Sequence, residues 1–311
     1  MMQAKIAVLP DRGVVRVAGE DARKLLQDII TNDMDLLAAQ PAIHAALLTP
    51  QGKILFEFFV AAAGAGTYLL ETGRDQAAGL AKRLGLYKLR AKVTIEDASA
   101  AYRVLALWGA SAQSPVATKA TVSFPDPRLP ALGLRILADV KFADAIADAI
   151  ADDIAGASNA AKVAAEDYHA HRIGLGVPEA GKDYALGDTF PHEADMDRLG
   201  GASFSKGCFV GQEVVSRMQH RAHVRKRVVP VEAAGPGQLQ PGADIAVGAA
   251  VIGKVGCVAG RRALAMLRLD RAAEARAKGQ PLTADGIEVV AHRPHWMAAS
   301  DLEPAAAAQT S

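Results

Sequence analysis

The sequence predicts an α+β protein made of two α+β domains followed by a small antiparallel β-barrel. Strand and helix patterns mix over residues 1–100 and again over 101–224, whereas 225–300 holds short strands separated by Gly- and Pro-rich turns. The chain has 311 residues, which exceeds the usual size of one hydrophobic core. We therefore expect these three ranges to be domains, with a frayed tail at 301–311.

The first section has a regular order of predicted elements. A β-branched strand at 14–17 is followed by a helix at 21–30, which Asp21 is placed to cap. The apolar stripe of that helix is formed by Leu25, Leu26, Ile29 and Ile30. A hairpin, a strand, a helix and a strand are expected next, at 45–60, 68–72, 75–86 and 87–95.

The second section again combines strands and helices. We expect strands at 102–108 and 132–137, separated by a Pro-rich loop that includes residues 121–130. Helices are predicted at 143–154 and 158–171. After residue 227 the strands of the barrel follow, at 227–232, 245–247, 251–258, 262–269 and 287–292.

Composition narrows the class of protein. A formal net charge of +1 gives no reason to expect nucleic acid or an anionic membrane as a partner. The most apolar stretch, 54–70, contains Glu57 and a glycine break, so it fits two strands rather than a membrane span. The N-terminal residues lack a signal peptide, and two cysteines do not make a disulfide scaffold. We expect a soluble cytoplasmic protein.

One segment concentrates the residue types that carry chemistry. Cys208 lies between two glycines, and Val214, Val215 and Met218 predict a helix directly after it. A helix N-terminus and the nearby Lys206 would both favour the thiolate, which is the reactive form of cysteine. The alternative is that Cys208 is a small buried hydrophobe. For Cys257, in a predicted barrel strand, the structural role is the better interpretation.

Two basic stripes indicate an anionic ligand. If the helix continues, Arg217, Arg221 and Arg225 share one of its faces. Lys88, Arg90 and Lys92 alternate along the predicted strand and so point to one side. A polycarboxylate tail would suit both stripes, and ordinary surface charge is the alternative.

Several familiar site patterns are missing from the sequence. It contains no phosphate-binding loop, and no G-x-G-x-x-G follows a strand. The H-x-x-H pairs at 220/223 and 292/295 match no standard zinc signature. Two cysteines cannot supply the four ligands of a protein-held iron–sulfur cluster. No metal site is predicted.

The run Lys206-Gly-Cys-Phe-Val-Gly-Gln-Glu213 resembles the K-G-C-[FY]-x-G-Q-E signature of the YgfZ family. That family includes a mitochondrial iron–sulfur assembly factor and is related to the T-protein of the glycine cleavage system, a folate-dependent aminomethyltransferase. Its remaining matches are at 14–22, 26–33, 49–53, 171–178 and 201–227. The signature residues here are Lys206, Gly207, Cys208, Phe209, Gly211, Gln212 and Glu213.

The resemblance implies a T-protein-like ring of three domains around a hole that binds tetrahydrofolate or another reduced folate. It also implies a role in assembling or repairing iron–sulfur clusters, with assembly or carrier proteins and client iron–sulfur enzymes as partners. Asn32 and Asp33 lie near the folate site by similarity. We infer that the glutamate tail of the folate meets Arg90, Arg217, Arg221 and Arg225.

Two departures argue against aminomethyl transfer. Phe56 and Glu57 stand where the T-protein has paired acids, and Gly174 stands where it has a pterin-binding glutamate. Without those carboxylates the reaction loses its proton handling and its pterin anchor. The leading hypothesis is a folate-binding assembly factor in which Cys208 reacts or transiently coordinates iron. The alternatives are a folate-dependent one-carbon transferase or demethylase, and a binding module without chemistry that folate stabilises.

Overall fold

The computed structural model describes residues 3–109, 121–142, 160–220 and 224–298. The helices over these residues are α1 Ala22–Ile29, α2 Arg74–Lys88, α3 Ala165–Leu175, α4 Gln212–His220 and α5 Leu269–Ala277. The strands are β1 Lys5–Val8, β2 Arg12–Ala18, β3 Ala42–Leu48, β4 Ile54–Ala62, β5 Thr67–Gly73, β6 Thr94–Asp97, β7 Tyr102–Trp108, β8 Thr121–Pro125, β9 Leu134–Asp139, β10 Ala161–Lys162, β11 Lys226–Ala233, β12 Asp244–Val247, β13 Ala250–Ala259, β14 Arg262–Arg268, β15 Leu282–Ala284 and β16 Ile287–Ala291.

The chain divides into two compact units. Unit 1 consists of Met1–Pro50, Ile54–Tyr168 and Leu199–Gln212. Unit 2 consists of Gln51–Lys53, His169–Arg198 and Glu213–Ser311. Over the described residues, no helix is both long enough and apolar enough to cross a membrane.

The first sheet of unit 1 has the strand order β3-β4-β5-β2-β6, and all of its pairs are antiparallel. Leu25, Leu26 and Ile29 of α1 are buried against it, as the apolar stripe predicts. Asp21, however, does not cap α1 with its side chain. Its carboxylate instead accepts a hydrogen bond of 2.8 Å from the backbone N–H of Lys92.

The structure corrects the strand predicted at 87–95. Helix α2 continues to Lys88 because its apolar face still reaches the core, and Leu89, with φ of +43°, ends it. The next strand, β6, begins only at residue 94. Lys88, Arg90 and Lys92 therefore do not alternate along a strand, and the argument that they form one stripe is wrong.

The second sheet of unit 1 has the order β10-β1-β7-β9-β8, with β1 parallel to β10 and antiparallel to β7. The stretch 121–130, predicted as a loop, begins with strand β8, which pairs with β9 at the sheet edge. An edge strand tolerates the proline at its end because one side makes no ladder bonds. The helix predicted at 158–171 starts later, at Ala165. The helix at 143–154 and the tail at 301–311 lie outside the described residues.

A buried ion network joins strands from both sheets of unit 1. The guanidinium of Arg135 bonds Glu71 at 3.3 Å, Asp126 at 3.4 Å and the Tyr168 hydroxyl at 2.7 Å. Arg128 adds a bond of 2.8 Å to Asp126. Burial opposes ionisation of Asp126, but the two guanidinium groups prevail and lower its pKa to about 2.

Strands β11 to β16 of unit 2 form a closed antiparallel barrel over residues that are all described, with the order β11-β14-β13-β12-β15-β16 and β16 pairing back to β11. Inward-facing Val229, Ile245, Ala265, Leu267 and Val289 fill its core. The predicted fold class, two α+β sections followed by a small barrel, is confirmed. Helix α5, between β14 and β15, was not predicted from the sequence.

Candidate functional site

The segment that leads to Cys208 is anchored to the start of unit 1 by hydrogen bonds from two buried side chains. The Thr31 hydroxyl donates to the carbonyl of Gly201 at 2.6 Å and accepts from the backbone N–H of Ala46 at 2.8 Å. The amide of Asn32 donates to the carbonyls of His44 at 2.7 Å and Gly200 at 2.8 Å. Because all these groups are satisfied on folding, the segment has a defined position.

Lys206 is the third anchor. Its ammonium is buried and donates to the carbonyls of Gln27 at 2.6 Å, Ile30 at 2.8 Å and Asn32 at 3.0 Å. These carbonyls belong to the last turn of α1 and the residues after it, which lack helical partners. Burial lowers the pKa of Lys206 to about 8, although Asp33 and Asp28 oppose the shift.

The predicted role of Lys206 as a partner of the Cys208 thiolate needs correction. A lysine ammonium has three N–H donors, and all three are used by backbone carbonyls. Lys206 therefore holds the loop in place and has no donor left for a thiolate. Sequence proximity alone suggested the pairing, and tertiary contacts turned the side chain toward α1.

Cys208 itself is exposed, as is Gly207. The next side chain, Phe209, is buried, with its ring 5.4 Å from the Lys206 ammonium, and Val210 packs against the core of the first sheet. Residues on either side of Cys208 thus turn inward while the thiol faces solvent. The alternative that Cys208 is a buried hydrophobe is wrong.

The end of the signature leads into α4. Gly211 has φ of +79°, a conformation that glycine adopts without strain, and the helix starts at Gln212 as predicted. The backbone N–H of Gln212 donates to the Phe209 carbonyl at 3.2 Å. Glu213 in the first turn pairs with Arg217 at 2.6 Å, one helical turn later.

Cys257 lies in unit 2 beside a bulge in β13, in a different setting from Cys208. Its sulfur is 3.2 Å from Arg172 Nη2, and its backbone N–H donates to Asp183 Oδ1 at 2.9 Å. Burial raises the pKa of this thiol to about 11, with a further contribution from Asp183 that Arg172 opposes. The thiol is therefore protonated at neutral pH, which fits the structural role predicted for it.

A buried pair that the sequence did not reveal supports the same segment. His44 on β3 places Nε2 2.7 Å from Glu57 Oε1 and Nδ1 3.3 Å from the Leu199 carbonyl oxygen. Both ring nitrogens face oxygen atoms, and the carbonyl can only accept, so Nδ1 is the donor there. A proton must then lie between Nε2 and Glu57. The only signal in the sequence was one histidine inside the apolar strand Ala42–Leu48.

The residues predicted to contact folate have different surroundings. Both amide hydrogens of Asn32 are used within unit 1, so its side chain works in the anchor. The Asp33 carboxylate accepts from the backbone N–H of Asp35 at 2.9 Å and from Gln27 at 3.1 Å. Arg90 is exposed in the turn before β6.

The arginines after the signature are not on one helical face. Arg217 is exposed on α4, but the helix ends at His220, before Arg225, which is exposed just ahead of β11. Arg221 lies outside the described residues. The condition under which the three would align is therefore not met. Among the described residues, no group of three or more His, Cys, Asp or Glu side chains is placed to hold a metal ion.

Comparisons with known proteins identify the family. A model described as "GCVT N-terminal domain" matches residues 11–150, and one described as "CAF17, C-terminal beta-barrel domain" matches 225–299. The iron–sulfur cluster assembly factor IBA57 of Mus musculus is 31% identical over 84% of this chain and 76% of its own length. This chain belongs to the IBA57 family of iron–sulfur cluster assembly factors. The YgfZ family, which the signature resembles, is related to it.

Further members and a solved structure agree with this assignment. Human IBA57 is 30% identical over 83% of this chain and 76% of its own length. The IBA57 homologue of Mycosarcoma maydis is 34% identical over 73% of this chain, which spans 57% of that protein. Aminomethyltransferase T of the glycine cleavage system from Bartonella henselae superposes with a TM-score of 0.76 over 97% of this chain and 87% of its own. At 16% identity, that likeness shows the fold alone.

The IBA57 relatives correct the predicted location. The proteins from Mycosarcoma maydis, Neurospora crassa, mouse and human are all named as mitochondrial, so the prediction of a cytoplasmic protein is wrong. That prediction rested on a low cysteine count and on N-terminal composition. Both point to a reducing compartment, and the cytoplasm is only one such compartment.

Proposed function

We propose that this IBA57-family chain supports the assembly or repair of iron–sulfur clusters in client enzymes through the thiol of Cys208. The observation that carries the proposal is the contrast within one loop. Lys206 and Phe209 are buried, and Thr31, Asn32 and Lys206 fix the segment by hydrogen bonds, while Cys208 between them is exposed. A fixed, exposed thiol is suited to a reaction with a group that a partner protein delivers.

The chemistry follows from the ligand count. One exposed thiol cannot hold a cluster alone, because such clusters are usually held by four protein ligands. Cys208 would therefore supply one ligand to a cluster shared with an assembly or carrier protein, which supplies the others. Binding iron requires the thiolate, so the thiol proton is released to solvent as the sulfur–iron bond forms.

Reduced folate is the second ligand that we propose, and it rests on the family resemblance and on charge. Among the described residues, the side chains of Arg90 and Arg225 have no hydrogen-bond or ion-pair partner, so both are available for the carboxylates of a folate tail. At the pterin end the fit is poorer. Gly174 offers no carboxylate, and a Cβ there would meet only Arg262 Nη1, at 4.0 Å. We propose folate as a bound ligand rather than as a one-carbon carrier.

Complementation tests the role of Cys208. A strain that lacks its own member of this family would receive wild-type protein, Cys208→Ser or the matched control Cys257→Ser. We expect growth and client iron–sulfur enzyme activity from wild type and Cys257→Ser, and loss of both with Cys208→Ser. Full activity of Cys208→Ser would overturn the proposed role of this thiol.

Calorimetric titration with tetrahydrofolate tests the ligand separately. We expect saturable binding that Arg217→Ala and Arg225→Ala weaken and that Arg271→Ala, on the barrel helix α5, leaves unchanged. Absence of binding to both mono- and polyglutamated folate would contradict this part of the proposal and leave the role of Cys208 standing.

A further inference from the structure

A cleft of about 460 Å³ opens on unit 2 between α5, the end of β14 and the β15–β16 hairpin. Its walls are mainly apolar, and four of its lining residues, Leu267, Leu269, Ala273 and Val289, are buried members of unit 2. The cleft therefore reaches from the surface to the barrel core. Its volume lies in the range that small-molecule sites occupy in proteins.

The charged residues at the cleft are unusual for this helix. Arg268 is paired with Asp270, and Arg271 is paired with Glu274. Arg276 lines the cleft, is exposed, and has no ion-pair or hydrogen-bond partner for its guanidinium among the described residues. The only other charged residue that lines the cleft is Glu288 on β16, also exposed.

We propose that this cleft binds a small amphipathic acid, with an apolar body of medium chain length in the cleft and a carboxylate paired with Arg276. Apolar walls exposed to water cost free energy that an apolar ligand recovers. A guanidinium beside such walls selects a carboxylate, because it offers paired N–H donors that match the two oxygen atoms. Glu288 disfavours a second negative charge, so a monoanion fits better than a diacid. This inference does not depend on Cys208 or on folate.

Octanoate is the probe that tests this site. Titration of the full chain would be followed by calorimetry and by the methyl NMR signals of Leu282, Val289 and Val290. We expect saturable binding with shifts confined to these methyl groups and others of the cleft. Hexanoate should bind about tenfold more weakly, since two methylene groups fewer are buried.

Matched variants on α5 locate the carboxylate. Arg276→Gln should weaken octanoate binding about tenfold or more, because a charge-assisted pair is lost. Arg271→Gln removes the same charge from the same helix outside the cleft and should leave binding unchanged. Ala272→Phe should fill the cleft and abolish binding. Thermal unfolding of each variant would confirm that it is folded.

Glu288→Gln tests the class of ligand. We expect tighter binding of octanoate, because a repelling carboxylate is removed. Weaker binding would overturn the simple acid in favour of a zwitterion whose ammonium meets Glu288. The proposal is also overturned if octanoate does not bind, or if Arg276→Gln and Arg271→Gln weaken binding equally.

Discussion

The ammonium of Lys206 lies 2.8 Å from the carbonyl oxygen of Ile30, the residue that follows the last turn of α1. This bond and its two companions attach the signature loop to a helix end about 180 residues earlier in the sequence. The lysine of the signature is thus a structural residue, and the cysteine two positions later is the exposed one. The two residues share a motif and divide its work.

Lys206→Met should destabilise unit 1. The change leaves three carbonyls without their charged donor, and we expect a loss of about 3 kcal/mol in the free energy of unfolding, measured by urea denaturation. The matched control is Lys24→Met, because Lys24 is exposed and pairs only with Asp28 on the same helix. An unfolding midpoint for Lys206→Met equal to that of the control would contradict the anchoring role.

The two cysteines should react at different rates with iodoacetamide. At pH 8, Cys208 is exposed and should be modified, whereas Cys257, with its pKa raised to about 11, has roughly one thiolate per thousand molecules. Mass spectrometry of native protein should therefore find modification at Cys208 first. The rate at Cys257 should rise tenfold per pH unit up to about pH 11. Equal rates at pH 8 would show that the setting of Cys257 is wrong.

Asp126→Asn should destabilise the buried network and remove part of the acid sensitivity. The folded-state pKa of Asp126 is about 2, below its ordinary 3.8, so the ionised carboxylate adds stability above pH 3.8. That contribution is lost as the pH falls through about 2. At pH 7 we expect a loss of about 3 kcal/mol in the variant. The difference from wild type should shrink between pH 4 and 2, and a constant difference would contradict the assignment.

Gly174→Ala should stabilise α3. A Cβ at this helical position meets only Arg262 Nη1, at 4.0 Å, so alanine should gain about 0.5–1 kcal/mol from its better helix propensity. The control is Gly176→Ala, two residues on. Gly176 has φ of +79°, and a Cβ there would lie 2.9 Å from atoms of Pro230 and Pro294. Urea denaturation should show opposite signs for the two variants, and destabilisation by Gly174→Ala would show that the space is not open.

Local patterns predicted the elements in which one rule dominated. The stripe of Leu25, Leu26 and Ile29 predicted α1, and alternating apolar strands predicted the barrel. Errors arose where two rules competed. Residues 87–95 are β-prone and follow a helix, but the core contacts of Leu84 carried α2 on to Lys88. Residues 121–125 contain a proline, yet pairing with β9 makes them an edge strand.

The sequence by itself determined the fold class, the signature and its cysteine, because these depend on residue order and on local hydrophobic periodicity. Only the tertiary structure decided what each side chain of the signature does. Lys206 and Cys208 are two positions apart, but one faces carbonyls of α1 and the other faces solvent. Likewise, no local pattern joins His44 to Glu57 and Leu199. Hydrogen bonds between residues far apart in sequence form only when the strands and loops pack together, so their partners cannot be read from spacing.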